Sequence, residues 1–497
     1  MKIAFAASEC VPFSKTGGLA DVVGALPKSL AELGHNVSVY LPKYKQTRLN
    51  HDDAKVLLPS VTIPFDDQYR FCSVLDGGRR SDVQFYFIDY PPFFDREALY
   101  GTPAGDYPDN AERFALYSRA VLEASKILDV PQIFHCHDWQ SALVPVLLRT
   151  SYAEDPVFRG TRTVFTIHNI GYQGLFPPDT LPLLMLPWDL LAIDKMEFWG
   201  KVNFLKGALV FSDHVTTVSR KYSQEIQTPE YGFGLDGVLH ARSGVVSGIL
   251  NGVDYSEWSP EHDKLIVRQY SAEHLEGKNE CKSDLLRQFG LEQATADLPV
   301  IGIVSRFAAQ KGFDLIAEIA DDLARLPLVI TALGSGDKEY QNLFLKLHQQ
   351  FPEKFAVKIA YNDALAHKVE AGADMFLMPS RYEPSGLNQM YSLKYGTVPI
   401  VRATGGLDDS IEPWNPKTRK GNGFKFSSYT GSALLAAIQE ALKAFKDKDA
   451  WHQLMLNGMN EDFSWNVAAK EYVKIYERLS PPKPVPSPER IAALSRA

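Results

Sequence analysis

The chain of 497 residues is longer than one hydrophobic core usually supports, so two or more domains are expected. Hydrophobic residues make up 45% and charged residues 23%, a globular composition that excludes a mostly disordered, collagen-like or coiled-coil chain. The 52 basic and 60 acidic residues give a formal net charge of −8, so overall charge indicates neither a nucleic-acid partner nor an anionic membrane.

Cysteine spacing and the apolar segments bear on the compartment. The four cysteines lack C-x-x-C spacing, which favours a reducing compartment over a zinc site or a disulfide framework. The N-terminal apolar run stops at Ser8, and no segment reaches the ~18 apolar residues of a membrane span. We therefore expect a cytoplasmic protein without a membrane partner, or a plastid protein if the source is a plant, although no transit peptide is recognised.

The first forty residues predict a βαβ unit. Residues 2–7 form a short apolar run typical of a buried strand, and apolar residues recur at helical spacing over 19–33, up to Gly34. A second strand is predicted at 36–40. The crossover between two such strands implies a parallel sheet.

The same alternation of strand and helix recurs along both halves of the chain. One helix is predicted at 313–326, and further strands are predicted at 133–136, 163–167, 214–218, 299–305, 328–333, 356–360, 374–378 and 398–401. This pattern predicts an α/β protein with two doubly wound parallel sheets.

Changes in composition predict the domain boundaries. Residues 244–254 carry three glycines between short apolar groups and indicate a strand entering a turn, which separates a domain at 1–247 from one at 248–463. The charged stretch 261–279 is expected to be exposed. A helix is predicted at 464–480, followed by an extended proline-rich tail at 481–497.

Two loops at strand ends predict anion binding. Lys15 and the adjacent Gly17 and Gly18 lie between the first strand and the first helix, where glycine amides pointing outward and a cation suit a phosphate. The motif is neither G-x-G-x-x-G nor a P-loop. Arg306 and Lys311 follow the strand at 299–305, where two cations suit a diphosphate, unless they are only a solvated pair.

A third segment follows the strand at 374–378. A helix is predicted to start near Ser385, so the amides of its first turn offer another anion site. Glu383 lies just before that helix. Its carboxylate could accept hydrogen bonds from sugar hydroxyls, or it could merely complement the helix dipole.

Histidines lie at the ends of two predicted strands. The segment His135-Cys-His137-Asp138 could suggest metal ligands, but the further carboxylates of a two-metal centre are not evident, so core histidines are favoured. Asp138 and His168 lie at carboxyl ends of strands, the edge where α/β proteins bind ligands. The D-x-D segment at 447–449 lies in a charged helical run and is expected to face solvent, so no metal or cofactor is predicted.

Motifs over most of the chain resemble those of the bacterial glycogen synthases and plant starch synthases, which are ADP-glucose-dependent retaining glucosyltransferases. They include KTGGLADVVGALPKSL at 15–30, HCHDWQSALVP at 135–145, TIHNIGYQG at 166–174, GILNGVD at 248–254, SRFAAQKGFDL at 305–315 and SRYEPSGLNQMYSLKYGTVPIVRATGGLDD at 380–409. The resemblance implies the GT-B fold, with two Rossmann-like domains facing across a deep cleft and a C-terminal helix that returns to the first domain. It implies transfer of glucose from ADP-glucose to the non-reducing 4-hydroxyl of an α-1,4-glucan.

The resemblance also implies roles for individual residues. Cations and loop amides hold the donor diphosphate, namely Lys15, Gly17, Gly18, Arg306 and Lys311. The donor sugar lies beside Glu383, His168 and Asp138, which together with Arg306 and Lys311 are the expected catalytic residues. Tyr361 stacks on the adenine, and the remaining matches near the donor are Asp21, Asn251, Asn388 and Gln389.

The sequence departs from the family in one position and leaves other functions open. Ser385 stands where the family often has cysteine, and Tyr391 stands where some related retaining transferases carry a second glutamate. The alternatives are a GT-B glucosyltransferase that uses UDP-glucose and a non-catalytic glucan-binding protein.

Overall fold

The computed structural model describes residues 1–49, 55–66, 68–293 and 297–480, so the predicted proline-rich tail lies outside the described residues. The chain divides into two compact units. The first comprises residues 1–216, 241–245 and the described residues from 469 onward, and the second comprises residues 217–240 and 246–468. In the part of the chain that the structure describes, no helix is both long and apolar enough to cross a membrane.

The strands up to residue 217 belong mostly to one mixed sheet. Their bounds are β1 Lys2–Ala6, β2 Asn36–Pro42, β3 Val56–Phe65, β4 Gln68–Arg80, β5 Val83–Asp89, β6 Gly101–Thr102, β7 Gly105–Asp106, β8 Ile133–His137, β9 Arg162–Ile167, β10 Leu175–Phe176, β11 Glu197–Phe198, β12 Lys201–Asn203 and β13 His214–Thr217. In this sheet they follow the order β13-β9-β8-β1-β2-β5-β4-β3. The neighbours of β1 are parallel to it, whereas β3, β4 and β5 pair antiparallel.

Short and long helices follow these strands. Those before residue 212 are α1 Gly18–Glu32, α2 Pro91–Phe94, α3 Asn110–Leu128, α4 Asp138–Ser141, α5 Leu143–Arg149, α6 Thr180–Leu183 and α7 Phe204–Phe211, with 3₁₀ turns at Pro156–Phe158 and Trp188–Leu190. The predicted first helix is confirmed, and Gly34 follows it with a φ of +87°. Glycine adopts this left-handed conformation without the steric clash that other residues incur, so it ends the helix as predicted.

The second unit contains a fully parallel sheet. Its six strands are β15 Val300–Val304, β16 Val329–Gly334, β17 Phe355–Ile359, β18 Met375–Met378, β19 Val398–Arg402 and β20 Phe424–Phe426, and the short strand β14 Val246–Gly248 is not one of them. The sheet order is β17-β16-β15-β18-β19-β20, which in chain order is 3-2-1-4-5-6. This order defines a doubly wound dinucleotide-binding-type sheet and confirms the predicted class.

Helices cover this second sheet. The helices from residue 220 onward are α8 Arg220–Glu225, α9 Asp236–Ala241, α10 Glu276–Gln288, α11 Phe313–Glu318, α12 Ala320–Arg325, α13 Lys338–Gln350, α14 Asp363–Gly372, α15 Asn388–Lys394, α16 Gly405–Ser410, α17 Gly431–Lys446, α18 Lys448–Met459 and α19 Trp465–Leu479, with 3₁₀ turns at Ser243–Val245 and Ala309–Lys311. The helix predicted at 313–326 is therefore two helices. The backbone of Ile319 between them has φ −110° and ψ 15°, outside the helical range.

The charged stretch 261–279 is exposed at most of its charged residues, as predicted, but it buries two of them. Asp263 and Lys278 are 4% and 7% exposed, so the stretch is not simply solvated. The Lys278 ammonium donates to the carbonyl groups of Ala371 and Tyr395 and to the hydroxyl of Thr397, at 2.7–3.0 Å. A buried charge is tolerated when its hydrogen bonds are satisfied, and these partners lie about a hundred residues away in the chain.

The C-terminal part of α19 completes the core of the first unit. Tyr472 and Tyr476 are fully buried there. The hydroxyl of Tyr476 lies 2.7 Å from Nδ1 of His135, whose other ring nitrogen lies 2.6 Å from the hydroxyl of Thr166. The last helix therefore supplies both apolar surface and a hydrogen-bond partner for a histidine in the central part of the sheet.

We expect Tyr476→Phe to lower the free energy of unfolding by about 1–3 kcal/mol, because it leaves a buried imidazole nitrogen without its partner. Urea denaturation at neutral pH measures the loss. Tyr44→Phe is the control, since Tyr44 is equally buried but its hydroxyl has no hydrogen-bond partner in the described structure. Equal effects of the two substitutions would show that the contact with His135 contributes nothing.

Candidate active site

In each unit, predicted site residues follow the strands at which the sheet order reverses. In the first unit, Lys15 lies beyond β1, and Asp138 follows the neighbouring strand β8. In the second, Lys311 lies beyond β15, and Glu383 follows the neighbouring strand β18. In doubly wound sheets, the crevice at the carboxyl ends of two such strands is the usual ligand site.

The loop after β1 is organised by a carboxylate that the sequence analysis missed. Glu9 is 3% exposed, and its carboxylate accepts hydrogen bonds from the backbone N–H and the hydroxyl of Thr16, the latter at 2.6 Å. It also accepts a hydrogen bond from the backbone N–H of Gly17 at 3.3 Å. The phenol of Tyr100 donates to the same carboxylate at 2.5 Å. The expectation that the glycine amides point outward is thus wrong for Gly17. A polar Ser-Glu pair directly after the first buried strand was the available signal.

The cation of this loop is also engaged. The ammonium of Lys15 lies 2.7 Å from the carboxylate of Asp21. Lys15, Gly17 and Gly18 are exposed, and α1 begins at Gly18. Backbone N–H groups of a first helical turn and an exposed ammonium form an electropositive surface suited to a phosphate.

Asp138 and His168 lie at the carboxyl ends of adjacent strands and contact each other. One carboxylate oxygen of Asp138 accepts a hydrogen bond from the backbone N–H of His168 at 2.7 Å. Asp138 has a φ of +54°, an unfavourable left-handed conformation for a non-glycine residue. Burial raises the pKa of Asp138 to about 7, although backbone hydrogen bonds from His168 and Asn169 oppose the rise. Its charge is therefore sensitive to the environment near neutral pH.

Two further imidazoles, those of His135 and His137, adjoin this pair. Nδ1 of His137 lies 3.0 Å from Nε2 of His168. His135 and His137 are fully buried, as predicted for core histidines. Burial lowers the pKa of all three rings, and that of His168 to about 3. Near neutral pH, His168 is thus a neutral hydrogen-bonding group and not a cation.

In the second unit, Lys311 and Glu383 form an ion pair. The ammonium lies 2.6 Å from the carboxylate, which also accepts a hydrogen bond from the hydroxyl of Ser380 at 3.0 Å. The side chains are 20% and 7% exposed, so Lys311 is not the freely solvated lysine considered as an alternative from sequence. Gly312 permits this approach: its φ is +72°, and a Cβ there would lie 2.0 Å from the carbonyl oxygen of Pro379.

The other predicted residues differ in their accessibility. Arg306 is exposed, and Tyr361, two residues beyond the end of β17, is 82% exposed. Asn388 donates to the carbonyl of Val304 at 2.9 Å, and the fully buried Gln389 donates to the carbonyl of Ser385 at 3.0 Å. The side-chain amides of Asn388 and Gln389 therefore hold the turn before α15 in place.

Two remaining predictions concern Asn251 and the D-x-D segment. Asn251 is 7% exposed, and its side-chain oxygen has no hydrogen-bond partner in the described structure. Asp447 and Asp449 are exposed as predicted. The carboxylate of Asp447 accepts from the N–H of Ala450 at 3.1 Å and caps α18.

We expect the ring of His168 to remain neutral from pH 8 to pH 5, because burial depresses its pKa to about 3. NMR of histidine-labelled protein, with His168→Gln for assignment, measures the titration. Since the unfolded chain takes up this proton near pH 6.5, the stabilisation linked to His168 is complete above that pH and is lost as the pH falls. A titration midpoint near 6.5 would contradict the prediction.

Two family models match the chain, one for each half. The model described as starch synthase catalytic domain matches residues 2–241. The model described as glycosyl transferases group 1 matches residues 290–453.

Relatives and solved structures match nearly the full length. Glycogen synthase of Koribacter versatilis is 68% identical, in an alignment that covers 96% of this chain and 98% of that protein. Glycogen synthase of Syntrophotalea carbinolica is 45% identical, in an alignment that covers 96% of this chain and 99% of that protein. The catalytic domain of starch synthase IV from Arabidopsis thaliana, bound to ADP and acarbose, has a TM-score of 0.87 and 35% identity over 96% of this chain and 99% of that one. A sucrose-phosphate synthase from Thermosynechococcus elongatus, with a TM-score of 0.56 and 17% identity, shares the fold.

The family matches span both units, and the GT-B fold expected from the resemblance is confirmed. Together with the carboxylates, imidazoles and cations at the carboxyl ends of the strands, they show that the chain belongs to the glycogen and starch synthase family of retaining glycosyltransferases.

Proposed function

We propose that the protein transfers glucose from ADP-glucose to the non-reducing 4-hydroxyl of an α-1,4-glucan and releases ADP, in the cytoplasm. The observation that carries this proposal is the Lys311–Glu383 pair where the order of the second sheet reverses. It combines a phosphate-binding cation with an acceptor for sugar hydroxyls. The similarity to a starch synthase structure bound to ADP and acarbose supports a donor sugar linked to adenosine diphosphate and a glucan acceptor.

The second unit stabilises the leaving group in this proposal. Breaking the bond between the anomeric carbon and the diphosphate places negative charge on ADP. Lys311 and Arg306 stabilise that charge electrostatically. An ammonium has three N–H donors, so Lys311 can bind Glu383 and still donate to phosphate oxygens. Glu383 in turn binds hydroxyls of the donor glucose.

The first unit supplies groups for the diphosphate and the sugar. Lys15, with the first turn of α1, binds phosphate oxygens, and Gly17 and Gly18 allow close backbone approach. His168 donates or accepts one hydrogen bond at the sugar as a neutral ring. Asp138, which accepts the His168 backbone N–H, holds that residue in position and lies in the same pocket.

The remaining residues act at the nucleotide or by positioning. The exposed ring of Tyr361 stacks on the adenine. Asn388 and Gln389 position the turn that follows Glu383, through the backbone contacts described above. Asp21 orients Lys15, and Asn251 contributes its unpaired side-chain oxygen near the donor.

The anomeric configuration is retained without an assigned carboxylate nucleophile. We propose that the acceptor hydroxyl attacks on the face that the diphosphate leaves. The new bond joins the acceptor oxygen to the anomeric carbon, the bond to the diphosphate oxygen breaks, and the acceptor proton moves to the departing phosphate. The protein's part in this step is to hold the charges and exclude water.

We expect ADP-glucose to be preferred over UDP-glucose by at least about tenfold in kcat/KM, because a purine offers Tyr361 a larger stacking surface. Tyr361→Ala should reduce this preference. Initial rates with both donors measure it, and Tyr69→Ala, which removes another exposed tyrosine, is the matched control. Equal or better use of UDP-glucose by the unaltered protein would contradict the donor proposal.

We expect Lys311→Ala to lower kcat/KM by roughly 10²–10³, the range for removing one preorganised electrostatic group. It should also lower the free energy of unfolding by about 1–3 kcal/mol, because it leaves the Glu383 carboxylate without its cation. Adding Glu383→Gln should recover part of the stability but none of the activity.

Arg306→Ala is the control for this pair, since Arg306 is exposed: it should lower activity without changing stability. Enzyme assays and urea denaturation of the unaltered protein and these three variants separate the effect on activity from the effect on stability. Near-normal turnover of Lys311→Ala would show that the loop does not take part in the reaction.

A further inference from the structure

A cluster of possible metal ligands lies in the second unit, formed by Glu257, Asp363 and His367. Asp363 and His367 are four residues apart on α14, so they share one face of the helix. Glu257 comes from the segment after β14. One ligand atom from each residue lies within 4.8 Å of the other two.

The ring of His367 is held in a defined orientation. It is 1% exposed, and its Nδ1 lies 2.8 Å from a carboxylate oxygen of Asp263. That oxygen also accepts from the phenol of Tyr395 at 2.6 Å. The backbone N–H of Leu265 donates to the other oxygen of this carboxylate at 2.8 Å. With Nδ1 directed at this carboxylate, Nε2 is left as the ring nitrogen available to a metal.

Aromatic stacking fixes the plane of the same ring. The ring of Trp258 stacks on that of His367, with 3.7 Å between the ring centroids and 15° between the planes. The ring of Tyr391 also stacks on Trp258, with 4.0 Å between the centroids and 2° between the planes. Stacking covers a ring face and leaves the ring edge, where Nε2 lies. Because Glu257 precedes Trp258 in the chain, the stack also holds the backbone of Glu257 beside the imidazole.

Nε2 of His367 is the unexplained atom of this cluster. It is buried and has no hydrogen-bond partner in the described structure. The carboxylate of Asp363 lies 3.9 Å away, too far for a hydrogen bond. A buried polar atom without a partner is unfavourable, and here it faces two carboxylates. A cation between the three groups would give this nitrogen a partner.

We propose that Glu257, Asp363 and His367 bind a Zn²⁺-type divalent cation. Zn²⁺ binds both imidazole nitrogens and carboxylate oxygens and can take water as its fourth ligand, whereas Mg²⁺ and Ca²⁺ prefer oxygen ligands alone. A carboxylate on the far nitrogen, as supplied by Asp263, is the usual partner of a metal-binding histidine. Glu257 and Asp363 are exposed, so their side chains can turn toward the cation.

The position of the cluster suggests what the cation does. It fastens the segment around Glu257 to the first turns of α14. Tyr361 lies two residues before that helix. A bound cation would therefore restrain the chain next to Tyr361 without contacting it. The competing structural role is that Asp363 only complements the dipole of α14, because it lies in the first helical turn.

The test uses the full chain, treated with a chelator and titrated with Zn²⁺ alone in a calorimeter, and with Co²⁺ followed by visible absorption. We expect one Zn²⁺ site that is weakened at least about tenfold in Glu257→Gln/Asp363→Asn, together with loss of its Co²⁺ absorption. Asp321→Asn/Glu339→Gln removes the same charge from two exposed sites elsewhere in the unit and should bind as the unaltered protein does. Both double variants alter exposed side chains, so folding is retained.

Absence of Zn²⁺ binding by the unaltered protein up to about 1 mM, or equal binding by the two double variants, would overturn the proposal. Asp263→Asn adds a second measurement, because it removes the carboxylate that orients the ring and should weaken binding by about 10–100-fold. If this buried substitution unfolds the protein, Zn²⁺ binding by the Glu257→Gln/Asp363→Asn variant still tests the proposal. None of these readouts depends on glucosyl transfer.

Discussion

A buried charge must be matched by hydrogen bonds or by an opposite charge, and this constraint shapes the candidate site residues within each unit. Glu9 is surrounded by loop N–H groups and a phenol, Asp138 by backbone N–H groups, and Glu383 by an ammonium and a hydroxyl. Each carboxylate follows a strand that pairs in parallel with its neighbour, at a place where the chain turns and its backbone donors become available. The same interactions that stabilise the loops therefore also hold the charges in defined positions.

The sequence was sufficient to predict the parallel central strands of both sheets, because these strands are short apolar runs buried on both faces. The predicted β1, β8, β15 and β18 are found within one or two residues. The antiparallel β3 and β4 were not predicted, and the helix break at Ile319 was missed as well. Such features depend on partners elsewhere in the fold and leave little local pattern.

The candidate site follows a similar division. Glycines, cations and carboxylates at strand ends were recognised because the ends of parallel strands are ligand sites whatever the rest of the fold. The importance of Glu9 could not be predicted, since its partner Tyr100 lies 91 residues away. Nor could the sequence show that Gln389 turns inward to its own loop, or that burial keeps His168 neutral. Those properties arise from packing, which a motif does not describe.

The position of the last helix has a consequence for how the polypeptide is made. The first unit consists of residues 1–216, the short segment 241–245 and the chain from residue 469 onward, so it is completed only by the last helix. During synthesis at about 5–20 residues per second, roughly 250 residues of the second unit must emerge before Tyr472 and Tyr476 are available. For tens of seconds the nascent first unit exposes the apolar surface around His135. A ribosome-associated chaperone that shields this surface would raise the yield of folded protein. Premature termination of translation would produce an incomplete first unit with exposed apolar surface, which is prone to aggregation and degradation.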